Sequence, residues 1–155
     1  MDRDLLLRMV AEAGGRGGAG EGPLRLLVVE DEGLVALEIE AALAGAGHQV
    51  VGVADDRASA LALARRAGPR PDLALVDIRL AGGDSGMRVA ADLAALGVPV
   101  LFVTGNCASE QGRAVAVGCL HKPFTEGELL ASVAAAEAVL HGRTPAHVPP
   151  AMHLY

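Results

Sequence analysis

Short aliphatic runs alternate with alanine-rich segments of helical period five times between Leu24 and Leu140, and this alternation leaves few folds open. Leu26-Leu27-Val28-Val29 is apolar at every position rather than at every second one, as in a strand buried on both faces. Strands of that kind separated by helices build a parallel sheet with helices on both sides. The runs predict strands at Leu24 to Val29, Gln49 to Ala54, Leu73 to Val76, Val98 to Val103 and Cys119 to His121. The intervening segments predict helices over Leu34 to Ala46, Arg57 to Ala67, Ser85 to Leu96, Glu110 to Val117 and Glu126 to Leu140. The punctuation agrees: Gly45 and Gly47 suit a helix C-terminus, Gly97-Val98-Pro99 leads into the fourth strand, and Thr125 with Glu128 three residues on reads as a capping box.

Five such units in series predict an α/β fold, a flavodoxin-like doubly wound five-stranded parallel sheet of order 2-1-3-4-5 with five helices. The expected domain spans residues 23–141. Residues 1–22 read as a short amphipathic helix, Asp4 to Ala13, followed by a glycine-rich flexible link. Residues 142–155, with three prolines and no period, read as a disordered tail in which His147 and His153 are incidental. A chain of 155 residues that is 52% hydrophobic supports one aliphatic core, and 2% aromatic residues leave no stacking platform for a cofactor. A net charge of −6 and only short basic pairs such as Arg65-Arg66 exclude a nucleic-acid surface. No apolar run reaches the roughly 20 residues of a membrane helix. Cys107 and Cys119 lack metal-ligand spacing and no secretory pattern precedes them, so both are expected as small buried hydrophobes in a reducing cytoplasm.

In an open α/β sheet, ligands bind at the carboxyl ends of the strands where the winding reverses. Glu30, Asp31, Asp77 and Thr104 all fall at such ends, and Lys122-Pro123-Phe124 follows the fifth run. Carboxylates crowded there repel one another by several kcal/mol at an effective dielectric of about 20, which a hard divalent cation would offset. Oxygen donors with room for water and a phosphoryl oxygen suit Mg²⁺. Such a site supports attack by a carboxylate on a phosphoryl group to give an acyl phosphate, with Asp77, at the end of the third strand, as the nucleophile. The ammonium of Lys122 would neutralise charge on the phosphoryl oxygens, and the Thr104 hydroxyl would bond one of them only after transfer.

The segments Val28-Val29-Glu30-Asp31-Glu32, Asp77-Ile78-Arg79-Leu80, Phe102-Val103-Thr104-Gly105 and Lys122-Pro123-Phe124 resemble the receiver domain of two-component response regulators. Each motif is weak alone; four in order, with Asp31 to Asp77 46 residues apart, Asp77 to Thr104 27 and Thr104 to Lys122 18, are specific. The likeness covers Leu24 to Leu140. It implies phosphorylation of Asp77 by a sensor histidine kinase or phosphotransfer protein. It implies Mg²⁺ ligated by Asp31, Asp77 and the Arg79 carbonyl with help from Glu30, and a cis bond before Pro123 that aims Lys122 into the site. Such a protein is not an enzyme on other substrates; it catalyses only its own phosphorylation and dephosphorylation.

Two departures from the family pattern stand out. Cys119 occupies the position, three before the lysine, where many receivers carry a switching aromatic, so a rotating aromatic is not the expected readout. The short step from Thr104 to Lys122, with Gly82-Gly83-Asp84-Ser85-Gly86 after the acceptor strand, is similar to receivers named for a Phe-Ala-Thr-Gly-Tyr motif, with Val103 and Asn106 in place of two of its letters. Arg79 and Asn106 flank the approach of water to a phosphoaspartate. The expected output is contact with a downstream protein or self-association as a homodimer, through the fourth helix, fifth strand and fifth helix. Val115, Val117, Leu129, Leu130 and Val133 in that region read as core. A phosphate shuttle or sink in a relay is the alternative. A phosphoaspartyl hydrolase fits less well because Arg79 stands where its second acid belongs. A nucleotide or flavin site fits less well because Glu30-Asp31-Glu32-Gly33 is acidic where a phosphate-cradling loop belongs.

Overall fold

The computed structural model describes residues 22–80, 83, 85–107 and 109–155. The expected Asp4 to Ala13 helix and nearly all of the glycine-rich link lie outside them. In chain order the elements are β1 (Arg25–Val29), α1 (Gly33–Gly45), β2 (Gln49–Ala54), α2 (Arg57–Ala64), β3 (Leu73–Val76), α3 (Gly86–Ala95) and β4 (Val100–Thr104). They continue with α4 (Ser109–Gly112), β5 (Gly118–His121), α5 (Glu126–Leu140) and β6 (Met152–Leu154). One sheet holds all six strands in the order β2-β1-β3-β4-β5-β6, with β1 to β5 parallel and β6 antiparallel to β5.

The continuous apolar runs sort onto two faces by the twofold alternation of a strand. Leu26, Val28, Leu73, Leu75, Leu101 and Val103 join the cluster under α1 and α5, where Ile39, Leu43, Leu129 and Val133 meet them. Leu27, Val29, Ala74, Val76, Val100 and Phe102 join the opposite cluster, with Ala60, Val89, Ala90 and Leu93 from α2 and α3. Phe102 is fully buried, and β1, β3 and β4 are interior strands with both faces covered. Of the residues read as core from periodicity, Val117, Leu129 and Val133 are buried, and Val115 and Leu130 are partly buried against the two clusters. Thr125 caps α5 with a complete capping box, accepting from the Glu128 amide at 3.1 Å while the Glu128 carboxylate accepts from the Thr125 amide at 3.0 Å.

Three expectations are corrected. The fourth helix is a single turn, Ser109–Gly112, not Glu110 to Val117: the Gly112 carbonyl accepts from both Val115 and Ala116, and the Val117 amide already pairs with the Val100 carbonyl at 2.8 Å as the chain enters β5. The tail is not disordered. Gly142, at φ 72°, closes α5, and the chain returns to add β6 along the free edge of β5, with Gly118 opposite Leu154 and Leu120 opposite Met152. Met152 and Tyr155 are buried there, and Gly118 permits the approach because a Cβ would lie 2.6 Å from the His153 carbonyl oxygen. Three paired residues are too few to show a period, and the prolines precede them. Finally, Cys107 and Cys119 are not two separate small hydrophobes: they form a disulfide with Cα atoms 6.1 Å apart, because the loop leaving β4 folds back beside the neighbouring strand β5.

Candidate functional site

The site lies beyond the carboxyl ends of β1, β3, β4 and β5, on either side of the point where the winding reverses between β1 and β3. Backbone bonds extend the sheet past its strands and set the side chains. The Glu30 amide donates to the Ala54 carbonyl, the Asp77 amide to the Val29 carbonyl and the Lys122 amide to the Thr104 carbonyl, each at 2.9 Å. Glu30, Asp77 and Thr104 are buried, Asp31 is half-buried, and the Lys122 side chain is 19% exposed. The Lys122–Pro123 bond is cis. Together with Glu32, Arg79, Leu80, Gly105 and Asn106, the residues Asp31, Asp77, Thr104 and Lys122 line an open cleft of about 450 Å³.

Lys122 Nζ donates to Asp77 Oδ2 at 2.9 Å and also to Glu30 Oε1, bridging two carboxylates that would otherwise repel. Asp77 Oδ1 accepts from the Arg79 amide at 3.1 Å, Glu30 Oε2 accepts from the Asp31 amide at 3.1 Å, and Thr104 Oγ1 accepts from the Asn106 amide at 3.3 Å. The electrostatics separate the acids. Burial, opposed by the Lys122 hydrogen bond and reinforced by Asp77, pushes the Glu30 carboxyl up to about 7. Burial would raise Asp77 as well, but hydrogen bonds with Lys122, Glu30, the Arg79 amide and Thr104 outweigh it and hold Asp77 below the usual carboxylate range. Burial lowers Lys122, and its bonds to the two carboxylates raise it further, so its charge is secure. Of the two buried acids, Asp77 is therefore the one held ionised, and Glu30 the one whose charged form burial disfavours.

Glu30, Asp31 and Asp77 each offer one carboxylate oxygen, all within 4.8 Å of one another. An all-oxygen donor set of three acids on one open side fits a hard divalent cation. The structure thus brings together Glu30, Asp31, Asp77, Thr104 and Lys122, with Arg79 and Asn106 on the rim. Sequence reasoning missed the role of Gly86. A Cβ at Gly86 would lie 1.8 Å from the Asp77 carbonyl oxygen, and its amide donates to the Ile78 carbonyl at 2.7 Å, so only glycine lets α3 start against the acceptor strand. A bridge between Arg79 and Ser85 closes the same turn. Gly86 stood in a glycine-rich stretch without a spacing signal to single it out.

A doubly wound sheet with an ionised aspartate, a lysine and a threonine at its strand ends, beside a cluster of acids, defines a phosphoaspartate-type signalling module. The comparisons place it further: residues 26–134 match the sequence profile of the response regulator receiver domain, and the chain belongs to that family. It is 40% identical over 99 residues to the phyllosphere-induced regulator PhyR of Methylorubrum extorquens, covering 63% of this chain and 37% of that protein. It is 29% identical over 116 residues to the transcriptional regulatory protein PdtaR of Mycobacterium tuberculosis, covering 72% of this chain and 55% of that one. A mutant of the anti-anti-sigma factor PhyR from Bartonella quintana superposes with a TM-score of 0.70 at 27% identity, covering 90% of this chain and 57% of the other. The chain spans between a third and just over half of the length of these curated relatives.

Proposed function

We propose that the chain is a response regulator that accepts a phosphoryl group on Asp77 from the phosphohistidine of a sensor kinase or phosphotransfer protein. The observation that carries this reading is the Asp77 carboxylate, held ionised in an open cleft with Lys122 Nζ 2.9 Å away. A carboxylate oxygen of Asp77 attacks phosphorus, the P–N bond to imidazole breaks as the P–O bond forms, and the departing imidazole takes up a proton from solvent. Lys122 faces the charge that develops on the phosphoryl oxygens, and the Arg79 amide keeps the carboxylate oriented by its bond to Oδ1. Thr104 stands buried at the cleft wall, where its hydroxyl bonds the phosphoryl group once transfer is complete.

We assign Mg²⁺ to the acidic cluster, where Asp31, Asp77 and the Arg79 carbonyl would hold it with Glu30 assisting, and where it would neutralise the acids and the incoming phosphoryl charge. We further propose that catalysis at Asp77 is confined to the protein's own phosphorylation and dephosphorylation, and that it takes place in the cytoplasm. Output is by contact with another protein, as the anti-anti-sigma name of the Bartonella relative describes for that protein.

The test is phosphorylation of the wild type and Asp77→Asn with acetyl phosphate, with and without Mg²⁺, read by intact mass. Gain of one phosphoryl group that requires both Asp77 and Mg²⁺ supports the reading, and its absence from the folded wild type overturns it. Rapid back-transfer to a histidine would make the chain a relay component, and a persistent phosphate an effector regulator.

A further inference from the structure

The disulfide between Cys107 and Cys119 ties together the two segments that supply Thr104 and Lys122. Cys107 lies three residues beyond Thr104, in the loop whose Gly105 and Asn106 line the cleft, and Cys119 lies in β5 three residues before Lys122. The two strands are already registered there, Phe102 opposite Cys119 and Thr104 opposite His121. The bond thus closes a covalent ring of 12-residue separation that contains α4, the single turn on which Tyr155 rests against Gly112. Cys119 is fully buried and Cys107 is partly exposed. Of the two residues only Cys107 reaches the surface, and Cys119 lies in the core.

We propose that Cys107–Cys119 is a thiol–disulfide exchange site, the substrate being a protein or small-molecule dithiol, and that its redox state decides whether the loop after β4 and α4 respond to phosphorylation. The inference rests on Asp77 being the phosphoacceptor. In reduction, a thiolate of the dithiol attacks Cys107 Sγ, and Cys119 leaves as a thiolate and takes up a proton. The second thiolate then attacks the mixed disulfide at the dithiol's own sulfur, releasing Cys107 as a thiolate that is protonated. Two electrons pass from the dithiol, which ends as a disulfide, to the protein, which ends with two thiols. Cys107 reaches the surface next to the cleft-lining Asn106, and a disulfide with an exposed partner is more open to exchange than one sealed in the core. With the ring closed, the Gly105–Cys107 loop cannot leave β5, so approach of Thr104 to a phosphoryl group cannot shift α4. With the ring open, it can.

The experiment uses the full chain in buffers of reduced and oxidised dithiothreitol at graded ratio. Thiols are counted by alkylation and intact mass, and amide exchange is followed over residues 105–107 and 109–117 in oxidised, reduced and Cys107→Ser protein, with and without acetyl phosphate and Mg²⁺. A closed loop of this length should slow exchange there on the order of 100-fold. Phosphorylation should change exchange in that segment only in the reduced and Cys107→Ser forms. Two free thiols at every dithiothreitol ratio, equal exchange in both redox states, or the same response to phosphorylation in both overturns the proposal. If neither form takes phosphate, the Asp77 reading fails, and the thiol count and the exchange of the unphosphorylated protein still uphold or overturn the clamp.

Discussion

Glu30→Gln should make the metal-free protein more stable at pH 8, although it removes an ion pair. Glu30 is 3% exposed and titrates at about 7 rather than 4.5 because burial disfavours its charged form. Held ionised well above pH 7, such a group costs the fold about 3 kcal/mol relative to its unfolded state. Between pH 4.5 and 7 the folded protein keeps a proton that the unfolded chain has released, so stability falls as pH rises through that window, and the full penalty stands above it. Glutamine removes the charge while its amide oxygen can still accept from Lys122, whose other bond, to Asp77 at 2.9 Å, also remains. The penalty already includes the Lys122 hydrogen bond, so glutamine, standing in for the protonated acid, should gain about 2–3 kcal/mol at pH 8 and under about 1 kcal/mol at pH 5. For a domain of this size the gain is about 6–12 °C in Tm. The assay is thermal unfolding in EDTA from pH 5 to pH 8. A gain that does not grow with pH, or a variant less stable than wild type at pH 8, would refute the electrostatic assignment of the pair.

The other expectations concern the packing that supports the site. Gly86→Ala sets a Cβ 1.8 Å from backbone oxygen and must push α3 off β3, so a loss of about 2–4 kcal/mol in urea unfolding and at least a tenfold slower gain of phosphate on Asp77 are expected; wild-type values for both would show the turn to be slack. Truncation after Pro150 removes buried Met152 and Tyr155 and bares the edge of β5. It should cost about 3–5 kcal/mol and promote self-association seen by light scattering, whereas an unchanged Tm would mean that β6 contributes nothing to the domain.

Most of the described fold from β1 to α5 is legible in the sequence, the one-turn α4 excepted. Strands buried on both faces are apolar throughout, and helices between them keep their own period, so the run from Leu26 to Val29, the capping box at Thr125 and the order of five strands could be read from local chemistry alone. The acids, Thr104 and Lys122 were legible for a related reason: a doubly wound sheet collects its strand ends in one place, so position along the chain already implies proximity. What the sequence could not carry were contacts between segments with no period of their own. The disulfide depends on a loop folding back on β5, β6 on an edge that exists only once the sheet is built, and Gly86 on a helix meeting a strand end at backbone distance. Periodicity reports which way a side chain faces within its own element. Which free edge, sulfur or carbonyl it meets is decided by chain packing, so the core and the placing of Asp77 at a strand end belonged to the sequence, while the disulfide, the sixth strand and the obligatory glycine belonged to the tertiary structure.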